Sequence, residues 1–166
     1  MKWLTLIRHA KSSWNDPMLD DFDRPLNRRG WRDAPRMGRR LCKRGWRPHR
    51  VISSPAIRAR TTAGLLAAEI GYPDQEISLE PDIYEASSDR LLEMIRSFPE
   101  AWERIALVGH NPGFTELAEQ LSGKPFGNVP TCGVIQLSYR PVSWAEAVDG
   151  CCDVVFYDYP KHGAGA

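Results

Sequence analysis

A chain of 166 residues, 42% hydrophobic and 26% charged, reads as a single globular domain that buries roughly two thirds of its unfolded surface. A net charge of +1 conceals a polarised distribution along the chain. No stretch suggests a transmembrane span, and the opening apolar run is too short for a signal peptide, so the expected location is cytoplasmic, away from membranes.

Trp3–Arg8 reads as a buried strand because Trp3 to Ile7 is an apolar, β-branched run with no turn residue inside it. It ends on Arg8 and His9, leaving a fixed cation and an imidazole where open α/β sheets bind ligands. Asn15–Asn27 has turn chemistry and few apolar residues and reads as a loop. Trp31, Ala34, Gly38, Leu41 and Cys42 recur at helical spacing, although Pro35 requires that helix to begin near Asp33 or to kink.

Further strands are predicted at Arg50–Ser53, Glu76–Leu79, Ile105–Gly109, Val134–Tyr139 and Asp153–Tyr157. Between them, Ala63 to Ile70, Leu91 to Ile95 and Phe114 to Leu121 carry helical periodicity. This alternation implies an α/β fold with a mostly parallel central sheet between helices. Lys124–Thr131 reads as a Gly- and Pro-rich loop. Residues 1–160 form the expected domain, and residues 161–166 an expected flexible tail.

Cys42, Cys132, Cys151 and Cys152 form no C-x-x-C pair and have no histidine at ligand spacing, so free thiols and no metal site are expected. The charge is unevenly spread. Residues 1–60 hold 16 Lys/Arg against 5 Asp/Glu, whereas residues 61–166 hold 6 against 16. The basic excess concentrates between Arg24 and Arg50. It is either a solvated helix face or a positive rim that steers an anionic substrate or acidic partner. Without a reader motif or an aromatic-interleaved basic stripe, nucleic acid is not an expected partner.

Two strand-to-helix corners share a pattern. Ser53 leads into Ser54-Pro55 and a helix carrying Arg58, while Gly109 leads into His110-Asn111-Pro112 and a helix carrying Phe114. The Ser and Asn are expected as N-caps, with Pro at the first helical position. Arg58 is expected about one turn into its helix. If the strands are neighbours, Arg8, His9, Arg58 and His110 converge with helix-start amides on a pocket suited to a tetrahedral dianion.

These segments carry a resemblance. RHAKSSWN at 8–15 resembles the R-H-G-x-x-x-x-N signature of the histidine phosphatase superfamily, the fold of phosphoglycerate mutases and acid phosphatases. With Ala10 in place of Gly, and with DFDRPLNRRG, SSPAIRARTT, GHNPG and PTCGV following in order, the chain looks most like the small bacterial SixA-like phosphohistidine phosphatases, from about Leu4 to Tyr157. The resemblance implies a three-layer α/β/α sandwich. It implies His9 as the nucleophile that becomes phosphorylated, Arg8 and Arg58 as ligands of the phosphoryl oxygens, and His110 as a stabilising second imidazole. Asn15 and Asn111 join the implied phosphate-binding set. The usual proton donor corresponds to Glu85, with Asp82 as the alternative, and the mutases' fuller acidic motif is absent.

The expected reaction is metal-independent phosphoryl transfer to a neutral His9, then hydrolysis, with no cofactor. An imidazole leaving group departs more readily than an alcohol, so a site without a strong acid still suits phosphohistidine on a protein. Two alternatives stay open: a phosphatase for small phosphate esters, and a non-catalytic phosphate-binding module.

Overall fold

The computed structural model describes residues 1–162. Strand β1 (Lys2–Arg8) lies inside a six-stranded sheet that also contains β2 (Arg50–Ser53), β3 (Ser78–Leu79), β4 (Arg104–Gly109), β5 (Val134–Tyr139) and β6 (Cys152–Asp158). Their spatial order is β3-β2-β4-β1-β5-β6. Strands β3, β2, β4 and β1 pair in parallel, and β5 runs antiparallel to both β1 and β6. Five of the six strands therefore point the same way, as a mostly parallel sheet requires.

Helices α1 (Arg28–Lys43), α2 (Ile57–Ile70), α3 (Ser88–Arg96) and α4 (Gly113–Ser122) cover the sheet. Alternating side chains of β1, β2 and β4 feed two separate cores, whereas β3 is an exposed two-residue edge, shorter than the expected Glu76–Leu79 because Glu76 closes a 3-10 turn over Asp74–Glu76. Leu4, Leu6, Ile105 and Leu107 pack with Leu91, Ile95, Leu117 and Leu121 of α3 and α4. Ile7, Val51, Ala106 and Val108 pack with Met37, Leu41, Ala63 and Leu66 of α1 and α2. Burial on both faces explains why the central strands read as continuous apolar runs. The result is the expected three-layer α/β/α sandwich.

Helix α1 corrects one expectation. It starts at Arg28, well before Pro35, because Asn27 caps it by accepting the Gly30 N–H at 2.9 Å. The proline sits inside the helix and deprives the Trp31 carbonyl of its usual donor, on a turn where Trp31 and Arg32 are exposed. The two corner prolines are corrected as well. Helix α2 begins at Ile57 after Ala56, and α4 at Gly113 after Pro112, which follows a cis bond. Neither Ser54 nor Asn111 therefore stands at the N-cap position, although Asn111 Oδ1 accepts the Thr115 N–H of the first turn of α4 at 3.1 Å, and Arg58 falls in the first turn of α2. Of the expected tail, Lys161 and His162 lie in a turn with His162 stacked on Tyr159, and residues 163–166 lie outside the described residues.

Candidate active site

Strand order brings the predicted side chains together. In the β1–β4 register Arg8 lies opposite Gly109, so His9 and His110 leave adjacent strands at the same level, and the His9 N–H donates to the Gly109 carbonyl at 2.9 Å. Their ring centroids are 5.2 Å apart. Strand β2 flanks β4 on its other side and delivers Ser54 and, one corner later, Arg58. Beyond the strand, the Cys132 N–H reaches the carbonyls of both Arg8 and His9 at 3.0 Å. To do so Cys132 adopts a φ of 62°, a left-handed conformation unusual for a side-chain-bearing residue.

Each ring is oriented by its neighbours. His9 Nδ1 lies 2.7 Å from the Ala10 carbonyl. A carbonyl can only accept, so the proton sits on Nδ1 and Nε2 keeps its lone pair. The Ala10 N–H in turn donates to Thr62 Oγ1 at 2.9 Å, tying this loop to α2. His110 Nε2 lies 2.8 Å from Ser54 Oγ, which also accepts the Ala56 N–H at 3.2 Å. Ser54 is fully buried, and among the described residues its hydroxyl proton has no other acceptor than His110 Nε2. The neutral His110 ring therefore carries its own proton on Nδ1.

Both imidazoles are buried and deprived of charge. Burial, helped by His110, Arg58 and Arg8 and opposed by the Ala10 carbonyl, lowers the His9 pKa to about 3. Burial and Arg58 lower that of His110 to about 4, against a small opposing pull from Asp21. Arg8 donates to the Val129 carbonyl at 2.8 Å, and Arg58 donates to the carbonyl and carboxylate of Asp21 at 2.6 and 2.8 Å. Three buried nitrogens remain without a partner here: Arg8 Nε, Arg58 Nε and His110 Nδ1. Three orphaned N–H groups from separate elements are costly unless an acceptor visits them.

The remaining predicted residues lie outside this group. Asn15 is exposed, beside Lys11 and Arg28 on an outer depression. The Asn111 side chain spends both donors on Asn128 and Val129, each at 3.0 Å, and its oxygen accepts from Thr115. It fastens the loop before β5 to α4 and has no group free for phosphate. Asp82 is paired with Arg90 at 2.8 Å on the α3 side. Glu85 is exposed with a φ of 59°, next to Tyr84, whose ring stands edge-on to His110 with centroids 5.5 Å apart.

Residues 4–123 match the histidine phosphatase superfamily (branch 1). The chain belongs to that superfamily. An uncharacterized chloroplastic protein of Arabidopsis thaliana is 34% identical over 153 residues, covering 87% of this chain and 69% of that protein. A crystal structure assigned as phosphohistidine phosphatase SixA of Agrobacterium tumefaciens superposes with a TM-score of 0.82 at 27% identity, covering 96% of this chain and 98% of that one. A protein histidine phosphatase SixA solved with tungstate shares the fold at the same TM-score and coverage, with 16% identity.

Three contributors to this histidine phosphatase site escaped the sequence reading. Asp21 accepts from Arg58, from Tyr84 at 2.6 Å and from Arg24 at 3.1 Å. Partial burial alone would raise its pKa, but hydrogen bonds from Tyr84 and Arg58 hold the carboxyl well below its usual range and keep it ionised. Ser54 and Tyr84 are the others. Asp21 and Ser54 lay within the quoted motif segments, but their partners are distant in sequence and no local spacing reports them.

Proposed function

We propose that this phosphatase transfers a phosphoryl group from phosphohistidine on a protein to His9 and then to water. The reading rests chiefly on the three orphaned donors around two neutral imidazoles, which match the three equatorial oxygens of a transferring phosphoryl group. The His9 Nε2 lone pair attacks phosphorus in line while Arg8, Arg58 and His110 Nδ1–H take up the oxygen charge. The bond from phosphorus to the substrate nitrogen breaks. Its electron pair returns to the substrate ring, which leaves as neutral imidazole when its other nitrogen carries a proton. Water then attacks the phosphoryl group on His9, restoring the Nε2 lone pair and releasing phosphate.

The charge that a metal would neutralise falls to guanidiniums. Leaving-group chemistry supports the choice of substrate. The carboxylate facing Arg58 is Asp21, which is held ionised, and Asp82 is engaged by Arg90, so neither is placed to protonate an alkoxide. Glu85 remains the candidate donor for the slower alcohol esters.

Incubation with a peptide bearing labelled phosphohistidine should leave an acid-labile phosphoryl group on His9, absent in His9→Ala. Turnover of that peptide should exceed that of sugar phosphates. Undiminished hydrolysis by His9→Ala would remove the covalent mechanism. Faster turnover of sugar phosphates would assign the site to small esters.

A further inference from the structure

Beside the His9 loop lies a shallow depression of about 670 Å³ lined by Lys11, Trp14, Asn15, Arg28, Arg29 and Arg32. Three of its four cations occupy the first turns of α1, which holds no acidic residue in its first turn. A helix start already carries partial positive charge, so arginines there oppose the macrodipole. Arg29 and Arg32 share one buried carboxylate, Asp33, at 3.4 and 3.3 Å. Among the described residues, Lys11 and Arg28 have no carboxylate within ion-pair distance and are exposed. One carboxylate answers four cations, so most of the positive field is unneutralised, and it is placed where it does not help the helix.

Apolar surface accompanies this charge. Trp14 is 71% exposed and Trp31 54%, and Met18 and Phe22 are also exposed. The Trp14 ring is held in place from behind by the Arg24 guanidinium at 3.5 Å from its centroid. Arg24 is itself fixed to Ser12 and to Asp21, which holds Arg58. The surface is thus tied through Asp21 to Arg58 of the proposed site. The adjoining loop carries Asp16, Asp20 and Asp23, which confines the positive field to the Lys11 and α1 side.

Resting on the proposed protein substrate, we infer that this patch is a docking surface for an acidic face of the protein that carries the phosphoryl group. Carboxylates of that partner meet Lys11, Arg28, Arg29 and Arg32, and an apolar side chain covers Trp14. Such rim charges act on encounter and substrate binding, leaving the chemical step alone.

The test compares two phosphohistidine peptides, one flanked by Asp/Glu and one by Lys/Arg, with p-nitrophenyl phosphate as a small substrate. Wild type should prefer the acidic peptide through a lower KM, an advantage that shrinks as salt is raised. The exposed pair Lys11→Glu/Arg28→Glu should raise KM for the acidic peptide about tenfold, lower it for the basic one and leave kcat and p-nitrophenyl phosphate turnover unchanged. A structural defect would depress all three substrates together and could not reverse the preference. Equal KM values for the two peptides in wild type, or no change in the variant, would overturn the inference. So would binding of a short single-stranded RNA that the variant loses while the peptides remain undistinguished. If no phosphohistidine peptide turns over, the proposed substrate fails. Titration with unphosphorylated acidic and basic peptides then decides the docking surface by itself, the same reversal supporting it and its absence overturning it.

Discussion

At the scale of single residues, the two imidazoles differ in where their proton sits. The Ala10 carbonyl leaves His9 a free Nε2, while the Ser54 hydroxyl leaves His110 an N–H on Nδ1. One ring can therefore donate an electron pair and the other a hydrogen bond without any proton having to move first. Both rings should stay neutral in phosphate-free protein at pH 5, since their pKa values lie at about 3 and about 4. Imidazole ¹⁵N shifts recorded from pH 8 to pH 5 should show neither ring titrating and the opposite tautomers just described. A midpoint near pH 6.5 for either would contradict the account. Ser54→Ala, which removes the orienting hydroxyl, should lower kcat about tenfold to a hundredfold with little change in fold, and Ser54→Thr should recover most of it. Equal kcat for wild type and Ser54→Ala would show that His110 needs no such partner.

At the scale of elements, close backbone approach fixes the loop that bears His9. A Cβ on Gly30, in the first turn of α1, would collide with the Lys11 carbonyl, which also accepts the Asn27 N–H at 3.0 Å. Gly30→Ala should destabilise the protein by about 1–3 kcal/mol, the usual range for overpacking against atoms that cannot yield, and should also reduce turnover. Urea denaturation and steady-state rates measure both. Unaltered stability would mean that the loop and helix separate freely.

The elements also show what a linear reading can recover. Strands β1, β2 and β4 were legible because burial on both faces leaves apolar runs bounded by turn residues, whereas the exposed edge β3 was read two residues too long, and the strand order set His9 beside His110. The start of α1 was obscured by Pro35, because Asn27 supplies a cap whose effect outweighs one lost hydrogen bond. Local spacing could not show that Ser54 turns to His110, or that Asn111, besides accepting a first-turn N–H of α4, gives its amide nitrogen to the loop at Asn128 and Val129. Asp21 and Tyr84 were unreadable for the same reason: their roles are made by contacts between distant segments.

At the scale of the whole molecule, the buried neutral rings tie stability to pH. An unfolded histidine binds a proton below about pH 6.5, whereas His9 and His110 in the folded protein do so only near pH 3 and pH 4. The unfolded chain therefore binds more protons in the intervening window. Stability is full above pH 6.5 and falls as the pH is lowered, by about 2 kcal/mol per ring at pH 5. Urea midpoints should drop between pH 7.5 and pH 5, and replacing both rings by Asn should remove most of that drop. An undiminished slope in the double variant would place the titrating groups elsewhere.

The strand order has a further consequence for how this protein is born. Among the described residues, strand β1 pairs only with β4 and β5, Trp3 lying opposite Arg104 and Ser138. The strand that leads into His9 therefore stays unpaired until β4, which lies most of the way along the sequence, has been made. On the proposed mechanism, a chain still growing on the ribosome should take up no phosphoryl group until His110 has followed His9 out.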